Sequence, residues 1–129
     1  MRAKHFLLVD DDECTNFIMD RILKNIKGLE SYKIESDSYE AFKYLEKCEQ
    51  QGKFPDIIFV DLKMPGITGM EFIKEYEKKF VEKFPESRII VLSSSARERD
   101  RKESLNHISV RDFINKPLTR EKIGSLVAG

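Results

Sequence analysis

At 129 residues the chain has room for one domain with a full core, not for two. Its 23 basic residues balance 23 acidic ones, which argues against the broad basic face that nucleic acid or an anionic membrane requires. Charged residues make up 36% of the chain, and no apolar run approaches the roughly 20 residues needed to span a bilayer, so a membrane protein is excluded too.

The stretch from Met1 to Asp12 has too short an apolar run for a signal peptide. Cys14 and Cys48 fall in separate predicted helices without metal-type spacing, and both are read as packing residues of a reduced, cytoplasmic protein. Phe6 to Val9 is a short apolar run, hence a buried strand, and Asp10-Asp11-Asp12-Glu13 follows at once. Phe17, Ile18, Ile22 and Ile26 then recur at helical spacing and predict a helix that stops near Gly28. Tyr32 to Ser36 alternates polar and apolar, as a sheet-edge strand does. From Ser38, Ala41, Tyr44, Leu45 and Cys48 make the stripe of a second helix, capped by Ser38 or Asp37.

The central stretch is Asp56 to Gly69. The run Ile57 to Val60 is continuously apolar, as a strand covered on both faces must be, and it delivers Asp61 to a turn. Met64-Pro65-Gly66 blocks continuation, because proline lacks a donor and glycine admits unusual dihedrals. Gly69 to about Phe84 reads as a helix with Phe72, Ile73, Tyr76 and Phe80 inward and a solvated Lys/Glu face, ended by Pro85. Thr68 before it is a turn or cap residue. Ile89 to Leu92 is a third apolar strand running into Ser93-Ser94-Ser95-Ala96. Arg97 to Asn106 is a highly charged helix with Leu105 as its clearest anchor. Val110 to Ile114 is a mixed strand ending at Asn115-Lys116-Pro117, and Thr119 caps a last helix carrying Ile123, Leu126 and Val127.

Strict alternation of strand and helix implies a parallel sheet with right-handed crossovers. The apolar first, third and fourth strands belong in the centre and the mixed second and fifth at the edges. The expectation is a (βα)5 doubly wound, flavodoxin-like α/β fold with strand order 2-1-3-4-5. One carboxyl edge then collects Asp10, Asp11, Asp61, Ser93 and Lys116. Three converging carboxylates repel, by roughly 4 kcal/mol per pair at 4 Å and an effective dielectric near 20. A hard cation such as Mg²⁺ relieves that. With Lys116 as a fixed positive charge and Ser93 as a hydroxyl donor, the set suits acceptance of a phosphoryl group on Asp61. Asp12 and Glu13 are read as acidic residues of a helix N-terminus, and His5 and His107 as incidental.

Four segments carry a family resemblance: Phe6-Leu7-Leu8-Val9-Asp10-Asp11-Asp12, Asp61-Leu62-Lys63-Met64-Pro65-Gly66-Ile67-Thr68-Gly69, Val91-Leu92-Ser93 and Phe113-Ile114-Asn115-Lys116-Pro117. In this order the chain resembles a receiver domain of two-component response regulators, of the stand-alone chemotaxis-receiver type, over essentially its whole length. The resemblance implies that Asp61 is the phosphoacceptor, that Asp11 binds Mg²⁺ directly and Asp10 largely through water, and that the backbone carbonyl of Lys63 completes the metal's protein ligands. It further implies that Lys116 pairs with the acyl phosphate, that Ser93 hydrogen-bonds a phosphoryl oxygen, and that Phe113 is a switch aromatic. The donor would be a phosphohistidine on a sensor histidine kinase or phosphotransfer protein, and the output contacts with an unidentified protein target. A single receiver domain without an output domain is expected, a monomer or weak dimer that catalyses only its own phosphorylation and dephosphorylation.

The pattern departs from the family in three places. Ser93 stands where threonine is usual. Ser94 becomes the switch hydroxyl if the loop register slips by one. His107-Ile108-Ser109 replaces a small, glycine-containing turn. Two other readings compete. A haloacid-dehalogenase-like phosphatase carries a second Asp two residues after its nucleophile, where Lys63 stands here. The other is a binding module that keeps the receiver fold without phosphorylation.

Overall fold

The computed structural model describes residues 4–94 and 97–128. Among them five strands alternate with five helices: β1 (His5–Val9), α1 (Glu13–Lys24), β2 (Ser31–Glu35), α2 (Ser38–Gln51), β3 (Ile57–Asp61), α3 (Gly69–Phe80), β4 (Arg88–Ser93), α4 (Glu98–Leu105), β5 (Val110–Asn115) and α5 (Arg120–Ala128). All strand pairs are parallel and the sheet order is β2-β1-β3-β4-β5, as expected from strand composition. The physical reason is coverage: β1, β3 and β4 present apolar side chains on both faces, so both faces must be roofed by helices.

The pleat sorts the core into two layers. Leu7, Val9, Ile58, Val60, Ile89, Val91 and Phe113 face α2 and α3, whose Phe42, Leu45, Phe72, Tyr76 and Phe80 cover them. Phe6, Leu8, Ile57, Phe59, Ile90 and Leu92 face α1 and α5, which contribute Met19, Leu23, Ile123 and Val127. Local chemistry sets the helix starts. Asp37 rather than Ser38 caps α2, accepting from the Glu40 N–H at 2.8 Å. Thr68 and Glu71 form a reciprocal capping box on α3. Thr119 Oγ1 accepts from the Lys122 N–H at 3.2 Å at the head of α5.

Several expectations need correcting. The buried face of α1 is Met19 and Leu23, with Ile22 and Ile26 at its margin, while Phe17 and Ile18 are 63% and 47% exposed. Apolar identity alone set the wrong phase. The helix ends at Lys24 with Asn25 as its C-cap, and Gly28 takes its positive φ of 93° beyond that end. Helix α3 stops at Phe80 rather than near Phe84, though Phe84 still packs on the core. In α4 the buried residue is Ser104, and Leu105 is 38% exposed. Cys48 is buried, but Cys14 is exposed and packs nothing inside. The histidines, read as incidental to metal or nucleophile chemistry, make local structural contacts. The His5 Nδ1 lies 2.6 Å from Ser31 Oγ, and His107 belongs to a cluster around Glu77.

Candidate functional site

Strand ends and the turns after them bring the polar residues together. Asp61 is the last residue of β3, and a Cβ at Gly69 would collide with the carbonyl oxygen of Asp61 and the Cα of Leu62, so only glycine lets α3 begin so close to that strand end. Asp10 follows β1 and is fully buried. Its N–H donates to the Glu35 carbonyl at 3.1 Å, and its Oδ1 accepts from the Asp12 N–H at 2.9 Å. Lys116 follows β5 and is held by its N–H donating to the Ser93 carbonyl at 2.9 Å, with a cis bond to Pro117. From there its Nζ reaches Asp10 Oδ2 at 2.7 Å and Asp61 Oδ1 at 3.6 Å. Asp11 is exposed beside them.

Carboxylate oxygens of Asp10, Asp11 and Asp61 all lie within 4.8 Å of one another. One ammonium therefore faces three carboxylates. Burial, then the charge of Asp10 and more weakly that of Asp11, pushes the Asp61 carboxyl up to about 6, against the opposing pull of Lys116 and of the Lys63 N–H that hydrogen-bonds it. Burial works to lower the Lys116 ammonium, but Asp10 and Asp61 outweigh it and hold it above its ordinary value. Asp12, by contrast, has its carboxyl lowered, chiefly by the Thr15 hydroxyl at 2.9 Å, and serves as the N-cap of α1. An all-oxygen donor set with uncompensated negative charge, partly open to water, fits a hard divalent cation such as Mg²⁺.

The remaining predicted residues sit around this cluster. Ser93 ends β4 and is 2% exposed. It shares the sheet face of Val91 and Phe113, the latter two being register partners, so Ser93 and Phe113 are near neighbours on the face crossed by α4. Phe113 is turned into the core, and its carbonyl accepts from Arg101 Nη1 of α4 at 3.4 Å. Ser94 is exposed and lines, with Thr15, Ile18, Met19, Lys116 and Leu118, an open pocket of about 300 Å³ between α1 and the turn after β5. Ser95 and Ala96, the rest of the predicted polar loop, lie outside the described residues.

Two participants carry no sequence signal. Asn16 reaches back from α1 to the Asp10 carbonyl at 2.7 Å. Glu77 on α3 accepts from the Ser109 N–H and Oγ at 2.9 and 2.7 Å and contacts His107 Nδ1 at 3.0 Å, tying α3 to the turn between α4 and β5. Each is a lone polar residue in a helix, indistinguishable from solvated charge until the backbone it meets is known.

Comparison with known proteins gives one family. The model of the response regulator receiver domain matches residues 6–128. The osmosensing histidine protein kinase SLN1 of Saccharomyces cerevisiae is 26% identical over 121 residues, covering 94% of this chain and 10% of that protein. A protein-glutamate methylesterase/protein-glutamine glutaminase of Treponema denticola is 33% identical over 113 residues, covering 86% of this chain and 28% of its own length. The chain thus spans between a tenth and little more than a quarter of these two relatives. The crystal structure of a two component response regulator from Cytophaga hutchinsonii superposes with a TM-score of 0.88 at 29% identity, covering 98% of this chain and 95% of that one.

Proposed function

Since the chain belongs to the response regulator receiver domain family, we propose that it takes a phosphoryl group onto Asp61 from a phosphohistidine of a histidine kinase or phosphotransfer protein, and that the acyl phosphate switches its protein contacts. The observation that carries this reading is the approach of Lys116 Nζ to both Asp10 and Asp61 at the carboxyl edge of the sheet, with three carboxylates gathered within 4.8 Å.

A bound Mg²⁺ would be held by Asp10, Asp11, Asp61 and the Lys63 carbonyl, and would supply the positive charge that offsets these carboxylates and the incoming phosphoryl oxygens. The chain's own residues do the rest. An Asp61 carboxylate oxygen forms a bond to phosphorus as the phosphorus–nitrogen bond of the donor breaks, and the imidazole, protonated on its other ring nitrogen in the donor, keeps that proton and leaves as the neutral base. Lys116, already aimed at Asp61, pairs with a phosphoryl oxygen. Ser93 donates its hydroxyl to another, which draws on the end of β4 beside Phe113. For a protein donor there is an approach surface on the rim: Phe17 and Ile18 expose apolar area on α1, beside the pocket lined by Ile18 and Lys116. Cys14 and Cys48 are both unpaired, in keeping with a cytoplasmic setting, and among the described residues no helix is long and apolar enough to cross a membrane.

The test is intact-mass measurement after incubation with acetyl phosphate. We expect the wild type to gain one phosphoryl group only when Mg²⁺ is present, and Asp61→Asn to gain none. Absence of labelling in the wild type at any Mg²⁺ concentration would leave the chain a binding module in a receiver fold.

A further inference from the structure

Asp11 is the exposed member of the acidic cluster, and among the described residues its carboxylate accepts no hydrogen bond, so the backbone of the turn alone sets its position. That backbone is tied through its N–H groups to the Glu35 carbonyl and to Asp10 Oδ1, and through its carbonyls to one residue of α1. The Asn16 side-chain Nδ2 donates to the Asp10 carbonyl at 2.7 Å, and the Asn16 N–H donates to the Asp12 carbonyl at 3.0 Å. The carbonyls of both residues flanking Asp11 are therefore bonded to Asn16. The amide orientation is forced, because a reversed amide would set its oxygen against the Asp10 carbonyl oxygen. In this orientation the Asn16 Oδ1 is buried and takes no hydrogen bond among the described residues. A buried orphaned acceptor is costly, and asparagine is a poorer helix former than alanine or leucine. On helix stability alone an apolar residue would serve better here. Local rules are broken in this way where a site needs support.

We infer that Asn16 is a positioning residue for metal binding, fixing the turn that presents Asp11. The inference rests on the proposed phosphoacceptor reading and adds a residue to it. Outer partners that orient a ligand typically set metal affinity by 10- to 100-fold.

The experiment is a Mg²⁺ titration followed by backbone amide NMR shifts in the wild type, Asn16→Ala and Leu23→Ala. Leu23 is buried on the same helix, away from the turn, and serves as a control that costs stability without touching the site. We expect Asn16→Ala to weaken Mg²⁺ binding about tenfold, with the shifts of residues 10–12 altered before any metal is added, and Leu23→Ala to bind as the wild type does. Unchanged affinity in Asn16→Ala overturns the inference and leaves the proposed function standing. Equal weakening in both variants also overturns it, by assigning the effect to general destabilisation. Failure of the wild type to bind Mg²⁺ removes the metal site and the inference together.

Discussion

Helices α3 and α4 lie on the same side of the sheet and are held in opposite ways. Helix α3 starts with a complete capping box and buries Phe72, Ile73, Tyr76 and Phe80, each 2% exposed or less. At about 1.5–3 kcal/mol per large apolar side chain, that face dominates its anchoring. Helix α4 starts at Glu98 after an N-cap, Arg97, that makes no side-chain cap bond; it buries only Ser104 and, among the described residues, contributes nothing to either core layer. What holds it is polar: Arg101 to the Phe113 carbonyl at 3.4 Å, and the Glu77 grip on the turn that follows. Few buried apolar contacts mean a low free energy of local displacement. The contrast teaches where a phosphoryl signal can go. Under the proposed function, the group on Asp61 would sit at the foot of the well-packed helix, and a shift initiated at Ser93 would be taken up by the helix that is packed least.

The largest effect comes from applying the same kind of truncation to both helices. Phe72 is fully buried and stacked on Phe42 at 4.6 Å, so Phe72→Ala should cost about 3–5 kcal/mol in urea unfolding. Leu105→Ala on α4 should cost less than about 1 kcal/mol, because that side chain is already 38% exposed. Comparable losses would erase the distinction between the helices.

Next in size is the charge at the foot of α3. The folded state holds the Asp61 proton more tightly than the unfolded chain does, at about 6 against 3.8, so between those values it binds more protons. The contribution of this one group to stability must therefore fall as pH rises through that window, and the full cost of the buried carboxylate is present above it. A shift of this size corresponds to at most about 3 kcal/mol. Asp61→Asn should be more stable than the wild type at pH 7, by up to that amount, and no more stable near pH 3.5. Saturating Mg²⁺ should narrow the difference at pH 7. A gain independent of pH would contradict the electrostatic cause.

How much of this was legible beforehand follows the kind of signal each residue carries. Ile57 to Val60 and Ile89 to Leu92 are continuous apolar runs, and burial on two faces leaves them one place in the sheet, so strand order and the convergence of Asp10, Asp61 and Lys116 could be read directly. Helix phase was harder. Phe17 and Ile18 are apolar yet face outward, because the face of α1 that meets the sheet is defined by Met19 and Leu23. In α4 the stripe is a single serine, which no hydrophobic pattern reports. Asn16 and Glu77 act on backbone groups brought close only by the finished fold, so no spacing in the chain announces them.

Glu77 is the joint between the two helices, and removing it should loosen α4 without unseating α3. Glu77→Ala deprives the Ser109 N–H and hydroxyl and the His107 ring of their shared acceptor. Ser109 is 5% exposed, so its N–H is left nearly dry, and the expected cost is about 2 kcal/mol. Hydrogen exchange should quicken across residues 98–110 and stay slow in α3. Uniform acceleration through both helices would instead make Glu77 an ordinary part of the global fold.

The smallest change should work in the opposite direction. Arg97 occupies the N-cap position with extended dihedrals (φ −69°, ψ 123°) that suit a capping residue, yet it supplies no cap acceptor. Arg97→Asp places a carboxylate oxygen within reach of the orphaned N–H groups of the first turn and a negative charge at the positive end of the helix dipole. It also joins Glu98 and Asp100, already in that turn, and their repulsion subtracts from the gain. The net stabilisation should be about 0.5–1 kcal/mol. The gain belongs to the native state, so it should appear both as slower exchange of α4 amides and as an equal, small rise in the free energy of unfolding by urea. If phosphorylation acts by displacing α4, a better-capped helix resists displacement, and the amide shifts that Asp61 labelling induces around Phe113 should shrink in the variant. Undiminished shifts would mean that the switch runs through β4 and β5 with α4 as a passenger.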